Sequence, residues 1–170
     1  MAGYDNVDDR LRQILPSGVV IVGSYARGMA EGALLYDDID IFPLSSRAES
    51  LTLQLLSTFK IGHDYRTSKF SMFDGLKLEV FHCAQFDWSL ARYMKTVDFT
   101  ANAVSYNLSK VEYWHPNAKY DIENKLLEII KINQGKGAER LMKMVERGYV
   151  PNYSPGNAES RADFIKRLNL

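Results

Sequence analysis

Two aspartates alternate with isoleucines in the stretch Asp38-Ile39-Asp40-Ile41. Isoleucine favours extended backbone, and successive side chains of a strand point to opposite faces of a sheet. We therefore expect Asp38 and Asp40 to share one face, with Cα atoms about 7 Å apart, so that both carboxylates can reach one cation. A divalent metal relieves their mutual repulsion, and an all-oxygen donor set suits Mg²⁺. The alternative is an edge strand on which both aspartates are simply solvated.

A third carboxylate is expected from the second arm of a predicted hairpin. Here Leu76, Leu78 and Val80 share one face, and Glu79 lies on the other. If this strand lies beside the strand of Asp38 and Asp40, Glu79 joins them, whereas on its own it would be an exposed strand residue. Three carboxylates could hold two Mg²⁺ ions, or Mn²⁺ instead, which activate an attacking hydroxyl and neutralise a leaving pyrophosphate.

A glycine-serine turn precedes the aspartates. The β-branched run 19–22 has the length of a buried strand, and Gly23-Ser24 follows it at the start of a short helix. Free backbone N–H groups at such a turn bind phosphate. Ser24 adds a hydroxyl donor, and Arg27 adds a planar set of donors. A Gly-Ser turn alone is more often structural, but its spacing from Asp38 and Asp40 favours a phosphate site.

These residues resemble the nucleotidyltransferase superfamily related to DNA polymerase β. Its pattern is an apolar residue, Gly-Gly or Gly-Ser, a spacer, and Asp-apolar-Asp-apolar. The stretch 98–107, Asp-Phe-Thr-Ala-Asn-Ala-Val-Ser-Tyr-Asn, is similar to the Arg-Arg-Asp-Phe-Thr-Ile-Asn-Ala motif of class II CCA-adding enzymes and bacterial poly(A) polymerases. Weaker similarity covers residues 120–127 and 140–149, and the whole resemblance extends over residues 19–150.

The resemblance implies a metal-dependent enzyme that transfers a nucleoside monophosphate from an NTP to an acceptor hydroxyl and releases pyrophosphate. The expected acceptor is an RNA 3′ end, as in tRNA nucleotidyltransferases. The matched residues are the catalytic and metal-binding Asp38, Asp40 and Glu79, the triphosphate-binding Gly23, Ser24 and Arg27, and the ribose-contacting Asp98 and Asn102.

The sequence also departs from the family pattern. Thr96 and Val97 stand where the family has two arginines, and Gly28 replaces an aspartate. The base-selecting Glu-Asp-X-X-Arg motif is not found after Arg147. Three alternatives therefore stay open: a catalytically idle nucleotide- or RNA-binding module, an enzyme that modifies a protein or small molecule, and a subunit that self-associates or needs a partner chain.

One further group of residues has two interpretations. Arg140, Lys143 and Arg147 follow helical spacing and share one helix face, opposite apolar side chains. This basic face either contacts triphosphate or RNA backbone, or it is simply solvated.

The elements that position these residues are predicted from apolar periodicity, capping residues and turn signals. They are a helix over 5–15, strands over 19–22 and 39–42, a helix over 48–59 capped by Ser45 or Ser46, a hairpin over 69–73 and 76–83, helices near 88–95, 98–107, 121–133 and 138–147, and an extended piece over 110–114. The hairpin turn Asp74-Gly75 is predicted as type I′. The fold class is α+β: a small mixed sheet flanked by helices, followed by a helical C-terminal part.

Composition limits the remaining choices. The chain has 170 residues, 46% apolar and 25% charged, with zero formal net charge, which is typical of a globular protein without a nucleic-acid-binding tail. A single cysteine excludes an internal disulfide, and no apolar run could span a bilayer. We expect a cytoplasmic protein with no membrane contact. Its expected parts are a catalytic core over 1–115, a neck-like helical segment over 116–150, and a linker with a short helix over 151–170.

Overall fold

A seven-stranded mixed sheet forms the centre of the protein. In this computed structural model, residues 4–33, 36–131 and 136–151 are described. The strands lie in the order β3-β4-β5-β2-β1-β6-β7. In chain order they are β1 Val19–Val22, β2 Ile39–Pro43, β3 Lys60–His63, β4 Thr67–Ser71, β5 Lys77–Phe81, β6 Val104–Tyr106 and β7 Val111–Tyr113. Neighbouring strands are antiparallel except β2 and β5, which are parallel.

Helices flank this sheet, and the predicted α+β class is confirmed. The helices are α1 Tyr4–Ile14, α2 Gly23–Glu31, α3 Ser46–Leu56, α4 Leu90–Met94, α5 Ala118–Asn124 and α6 Gly137–Glu146. A second, two-stranded parallel sheet joins β8 Leu126–Leu127 to β9 Val150–Pro151. None of the described helices is long and apolar enough to cross a membrane.

The apolar residues of β1 and β2 explain why these strands are central. Ile21, Val22, Ile39 and Ile41 are all at most 1% exposed, so both faces of the sheet are covered near these positions. Burial on both faces favours β-branched side chains, which fit a pleated sheet. The core therefore surrounds the two strands from which the candidate site begins.

The predicted cap of α3 is confirmed. The side chain of Ser45 accepts a hydrogen bond from the backbone N–H of Ala48 at 3.0 Å, which satisfies one of the free donors at the helix start. The helix ends at Leu56, and one 3₁₀ turn continues to Phe59. Strand β3 follows, which the sequence analysis did not predict.

The β4–β5 hairpin is present, but its predicted type I′ turn is wrong. The backbone N–H of Gly75 donates to the carbonyl of Met72, and the N–H of Met72 donates to the carbonyl of Leu76, both at 2.9 Å. Gly75 has φ +83°, whereas Asp74 does not have a positive φ. A type I′ turn needs positive φ at both central residues, so the loop is instead a three-residue connection with glycine in the left-handed position.

The helix predicted over 98–107 is replaced by other structure, and the one predicted over 121–133 is shorter than expected. Within 98–107 the chain forms one 3₁₀ turn, Thr100–Asn102, and then β6, whose residues are all buried between β1 and β7. Helix α5 ends at Asn124, because Lys125 adopts a left-handed φ of 56° and leads into β8. Pairing with the sheet outweighs local helix propensity here. Residues 132–133 of the predicted 121–133 helix, and the predicted linker and helix after Pro151, lie outside the described residues.

Candidate active site

One cavity of about 660 Å³ brings the predicted site residues together. It opens where β1, β2 and β5 meet the start of α2. The predicted residues that line it are Gly23, Ser24, Arg27, Asp38, Asp40, Glu79, Asp98 and Asn102. Residues far apart in sequence therefore share one concave surface.

Strand register places the carboxylates. Asp40 on β2 is the direct parallel neighbour of Glu79 on β5, as the sequence analysis expected for adjacent strands. Asp38 lies just before β2 and lines the same cavity. The pKa of Asp40 is well above its usual range, because burial disfavours its charged form and because the carboxylates of Glu79 and Asp38 repel that charge.

A cation would relieve this repulsion, and the oxygen donors suit Mg²⁺ in charge and chemistry. Among the described residues, however, no three His, Cys, Asp or Glu side chains already form a metal-binding group. Beside Glu79, the Nζ atom of Lys69 lies 3.3 Å from Oε1. Asp38, Asp40 and Glu79 thus share a cavity and fit a divalent cation, without a closed ligand set.

Gly23 brings the backbone of the β1–α2 turn against Asp40. Its φ is +71°, and a Cβ atom at this position would lie 2.3 Å from Oδ2 of Asp40. Only glycine permits both the backbone conformation and the contact. Helix α2 begins directly at Gly23, and Val22 provides no side-chain cap, so the first-turn N–H groups have no side-chain acceptor there. This turn can bind an anion.

Arg27 lies deep beneath this turn and is only 4% exposed. Its Nη1 donates a hydrogen bond to Oδ1 of Asn102, and its Nε lies 3.3 Å from Oε1 of Glu31. Its Nη2 is buried and has no hydrogen-bond partner among the described residues. Burial, followed by the nearby charge of Arg147, lowers the pKa of Arg27 from its usual value. A donor without a partner at a cavity wall is suited to a phosphate oxygen.

Asp98 presents the opposite charge on the cavity wall. It is 6% exposed, and its Oδ2 accepts a hydrogen bond from Nη1 of Arg140 at 2.8 Å. Its Oδ1 is buried and has no partner among the described residues. A carboxylate oxygen of this kind can accept a hydrogen bond from a ligand hydroxyl.

The basic face of α6 lies on the cavity. Arg140, Lys143 and Arg147 all line it, which favours the interpretation that this face meets a ligand. Asp37, beside Asp38, forms ion pairs with Lys143 at 3.8 Å and with Arg147 at 3.4 Å. Sequence spacing predicted that the three bases share a face, but no sequence signal connected that face to Asp37.

Further cations were not predicted from the sequence. They are Arg66, Lys69, Lys131 and Lys136, all of which line the cavity. Of these four residues, only Lys69 could have been placed from the sequence, because the register of the hairpin determines its neighbour on β5. Thr96 and Val97 also line the cavity, so no arginine is present at the positions where the resemblance places two.

Cys83 has no place in this chemistry. It is fully buried, and burial raises the pKa of its thiol to about 12. The thiolate is the reactive form of cysteine, so Cys83 is not an activated nucleophile at neutral pH.

The fold of this chain is similar to solved structures of CCA-adding and tRNA-processing enzymes. The Thermotoga maritima CCA-adding enzyme complexed with tRNA matches with a TM-score of 0.62 at 15% identity, covering 88% of this chain and 37% of the enzyme chain. This chain has the fold of the part of the CCA-adding enzyme that it matches. The Bacillus stearothermophilus CCA-adding enzyme in complex with CTP matches with a TM-score of 0.52 at 18% identity, covering 84% of this chain and 35% of the enzyme chain.

A tRNA-processing enzyme with CTP gives a similar result, with a TM-score of 0.62, 16% identity and coverage of 95% of this chain and 45% of the enzyme chain. No family model and no curated protein matches the chain. The resemblance to a CCA-adding enzyme head domain is thus confirmed at the level of fold. The chain spans less than half the length of these three CCA-adding and tRNA-processing enzymes.

Proposed function

We propose that the chain is a metal-dependent nucleotidyltransferase, which moves a nucleoside monophosphate from an NTP to an acceptor hydroxyl and releases pyrophosphate. One observation carries the proposal: a single cavity combines neighbouring carboxylates with a guanidinium N–H group and a carboxylate oxygen that have no partner in the described part of the chain. An NTP is complementary to this combination, since it has a metal-seeking triphosphate and ribose hydroxyls.

Each residue has a defined part in this proposal. Asp38, Asp40 and Glu79 would hold Mg²⁺, which supplies charge stabilisation at the transferring phosphoryl group. The backbone at Gly23 and the Nη2 atom of Arg27 bind triphosphate oxygens and stabilise charge on the leaving pyrophosphate.

The ribose lies toward Asp98 and Asn102. Oδ1 of Asp98 accepts a hydrogen bond from a ribose hydroxyl, while Arg140 holds the other carboxylate oxygen in place. Asn102 fixes the guanidinium of Arg27 through its own side-chain oxygen. The triphosphate and ribose contacts are therefore connected by one hydrogen bond, which orients the nucleotide as a unit.

We propose an RNA 3′ end as the acceptor. The support is the fold shared with CCA-adding enzymes solved with tRNA and with CTP, together with eight basic side chains around the cavity. A phosphodiester backbone is attracted to such a surface.

A second candidate function is nucleotide binding without transfer. The observation that favours it is the contact between Lys69 and Glu79, together with the lack of a closed three-ligand metal group among the described residues. In this case the chain binds NTP but adds nothing to any acceptor.

The test incubates the wild type and Asp38→Ala with each α-labelled NTP, Mg²⁺, and either tRNA lacking its 3′ terminus or a protein extract. Label that enters RNA only with the wild type supports the proposal, and the preferred NTP identifies the added base. Label that enters protein identifies a polypeptide, and not RNA, as the acceptor. NTP binding with no label in either fraction contradicts transfer and favours the binding module.

A further inference from the structure

Lys69 and Glu79 are direct cross-strand neighbours in the antiparallel β4–β5 pair. The Nζ atom of Lys69 lies 3.3 Å from Oε1 of Glu79, and both side chains line the cavity. Opposite positions of antiparallel strands hold side chains close together. The sheet register itself therefore places this ammonium group against Glu79.

Glu79 has a second acidic side chain on its other side. Strand β5 lies between β4 and β2, and the partner of Glu79 on β2 is Asp40. Glu79 thus stands between a carboxylate and an ammonium group. The described residues give Glu79 a single ion pair, the one with Lys69. Lys69 consequently supplies the positive charge that this side of the carboxylate cluster requires.

The two members of the pair differ in exposure. The side chain of Lys69 is 49% exposed, whereas that of Glu79 is 20% exposed. A flexible lysine at the solvent edge can move its ammonium group into water at small cost, because exposed ion pairs contribute little to stability. The carboxylate, by contrast, stays in the cavity. Because Lys69 is the more exposed partner, a metal can displace its ammonium group while Glu79 stays in place.

We propose that the ammonium group of Lys69 occupies the place of a cation at Glu79 while no metal is bound, and yields Glu79 to a divalent metal when one binds. The inference rests on the proposed metal site at Asp38, Asp40 and Glu79. Lys69 is a positioning residue: its ammonium group holds the Glu79 side chain in place through their 3.3 Å contact, and it competes with a metal for that carboxylate.

The experiment measures binding of Mn²⁺ alone, without nucleotide, by the loss of the free-ion electron paramagnetic resonance signal. Three variants are compared with the wild type. Lys69→Met removes the charge and keeps the apolar stem, and Lys69→Arg keeps the charge. Lys77→Met is the matched control, because it removes an exposed lysine from the strand of Glu79, two positions away and outside the cavity lining.

Lys69→Met is expected to bind Mn²⁺ about two- to fivefold more tightly than the wild type, the range for loss of one half-exposed ion pair. Lys69→Arg and Lys77→Met are expected to match the wild type. Unchanged or weaker binding by Lys69→Met overturns the inference, as does an equal gain in Lys77→Met. Loss of Mn²⁺ binding in all four proteins overturns it as well.

Thermal unfolding gives a second measure that does not depend on activity. Without metal, Lys69→Met is expected to unfold at a slightly lower temperature than the wild type, since Glu79 then loses its ion pair. Saturating Mn²⁺ should remove that difference, and a difference that persists contradicts a replaceable role. Transfer assays separate the two proposals: tighter Mn²⁺ binding by Lys69→Met with no transfer to any acceptor removes the proposed function and retains this inference.

Discussion

Asp40 shows how much of the site depends on a single carboxylate and its neighbours. The turn at Gly23 lies against Asp40 on one side, and Glu79 lies beside Asp40 on the next strand. Burial and these neighbours raise its pKa, so its charged form is costly in the absence of a cation. At the scale of residues, the site brings carboxyl groups together, and the proposed metal would relieve their mutual repulsion.

Gly23→Ala tests the contact with Asp40. The new Cβ atom would lie 2.3 Å from Oδ2, so the carboxylate must move away from the position proposed for metal binding. We expect transfer activity to be lost and the free energy of unfolding to fall by more than the about 1–2 kcal/mol caused by a positive φ alone. Urea unfolding and transfer assays measure the two effects.

The control is Gly32→Ala at the end of α2. Gly32 has almost the same φ, +72°, but a Cβ atom there would meet nothing within 4 Å. Gly32→Ala should lower the free energy of unfolding through backbone strain and keep transfer activity. Equal activity in the two variants would contradict the importance of the Gly23–Asp40 contact.

Helix α2 is the element that carries the residues proposed to bind phosphate. Its first residue is Gly23, its middle carries Arg27, and its last residue is Glu31. Glu31 is buried between Nε of Arg27 and Nζ of Lys125, which lies 3.1 Å away, and it accepts a hydrogen bond from the hydroxyl of Tyr149. The helix therefore connects the turn at Gly23 to the chain around β8 and β9.

Glu31→Ala tests this connection. Its side chain and that of Arg27 are 3% and 5% exposed, so removing the carboxylate leaves a buried guanidinium without its counter-charge. We expect the free energy of unfolding to fall by about 3 kcal/mol and NTP affinity to fall with it, because Arg27 loses its orientation. Chemical denaturation and NTP titration provide the measurements.

A matched pair lies on α5, where Lys119 and Glu123 have the same i, i+4 spacing as Arg27 and Glu31. These side chains are 65% and 58% exposed and 4.0 Å apart. Glu123→Ala should cost no more than about 0.5 kcal/mol. A similarly small loss in Glu31→Ala would show that the buried network around α2 does not hold Arg27.

Sequence reasoning succeeded where local patterns determine structure. The alternation of Asp38 and Asp40 with isoleucines, the glycine-serine turn and the Ser45 cap all have short-range signals, and their elements are confirmed. It was wrong for 98–107, because burial of β6 between β1 and β7 is decided by the whole sheet.

The cation contacts of the cavity were missed for the same reason. The pairing of Asp37 with Lys143 and Arg147 joins parts of the chain that no local pattern connects. The Lys69–Glu79 contact was accessible in principle, because antiparallel register follows from the hairpin loop. The incorrect type I′ turn would have assigned a different register to it.

For the molecule as a whole, charge is balanced but unevenly placed. The formal net charge is zero, yet the cavity lining contains eight basic and six acidic side chains. Arg140 and Lys143 on α6 and Asp40 and Glu79 on the sheet line the same cavity, and in the proposed function the cations attract phosphate whereas the carboxylates attract a metal. Local fields of this kind attract a polyanion even when the whole protein is neutral.

Lys143→Met tests this distribution. Lys143 is half exposed and forms only long contacts among the described residues, with Asp37 at 3.8 Å and with Glu139 at 4.0 Å, so the fold should tolerate the change. We expect weaker NTP binding and a smaller loss of affinity when salt is raised, because one screened attraction is removed. Titrations at several salt concentrations measure this slope.

Lys95→Met serves as the comparison. Lys95 is an exposed lysine that does not line the cavity. This variant should keep the wild-type salt slope. The same change of slope in both variants would mean that net charge, rather than the α6 face, governs binding.

The parallel pairing of β2 with β5 also affects how the protein acquires its site. Parallel neighbours need a crossover, and here the connection runs through α3, β3 and β4 before Glu79 reaches Asp40. Long-range contacts of this kind form slowly, because their loop-closure entropy is paid before they contribute stability. Local hairpins such as β4–β5 can form earlier. A refolding chain should therefore regain strand structure before it regains ligand binding, with the site assembled among the last steps.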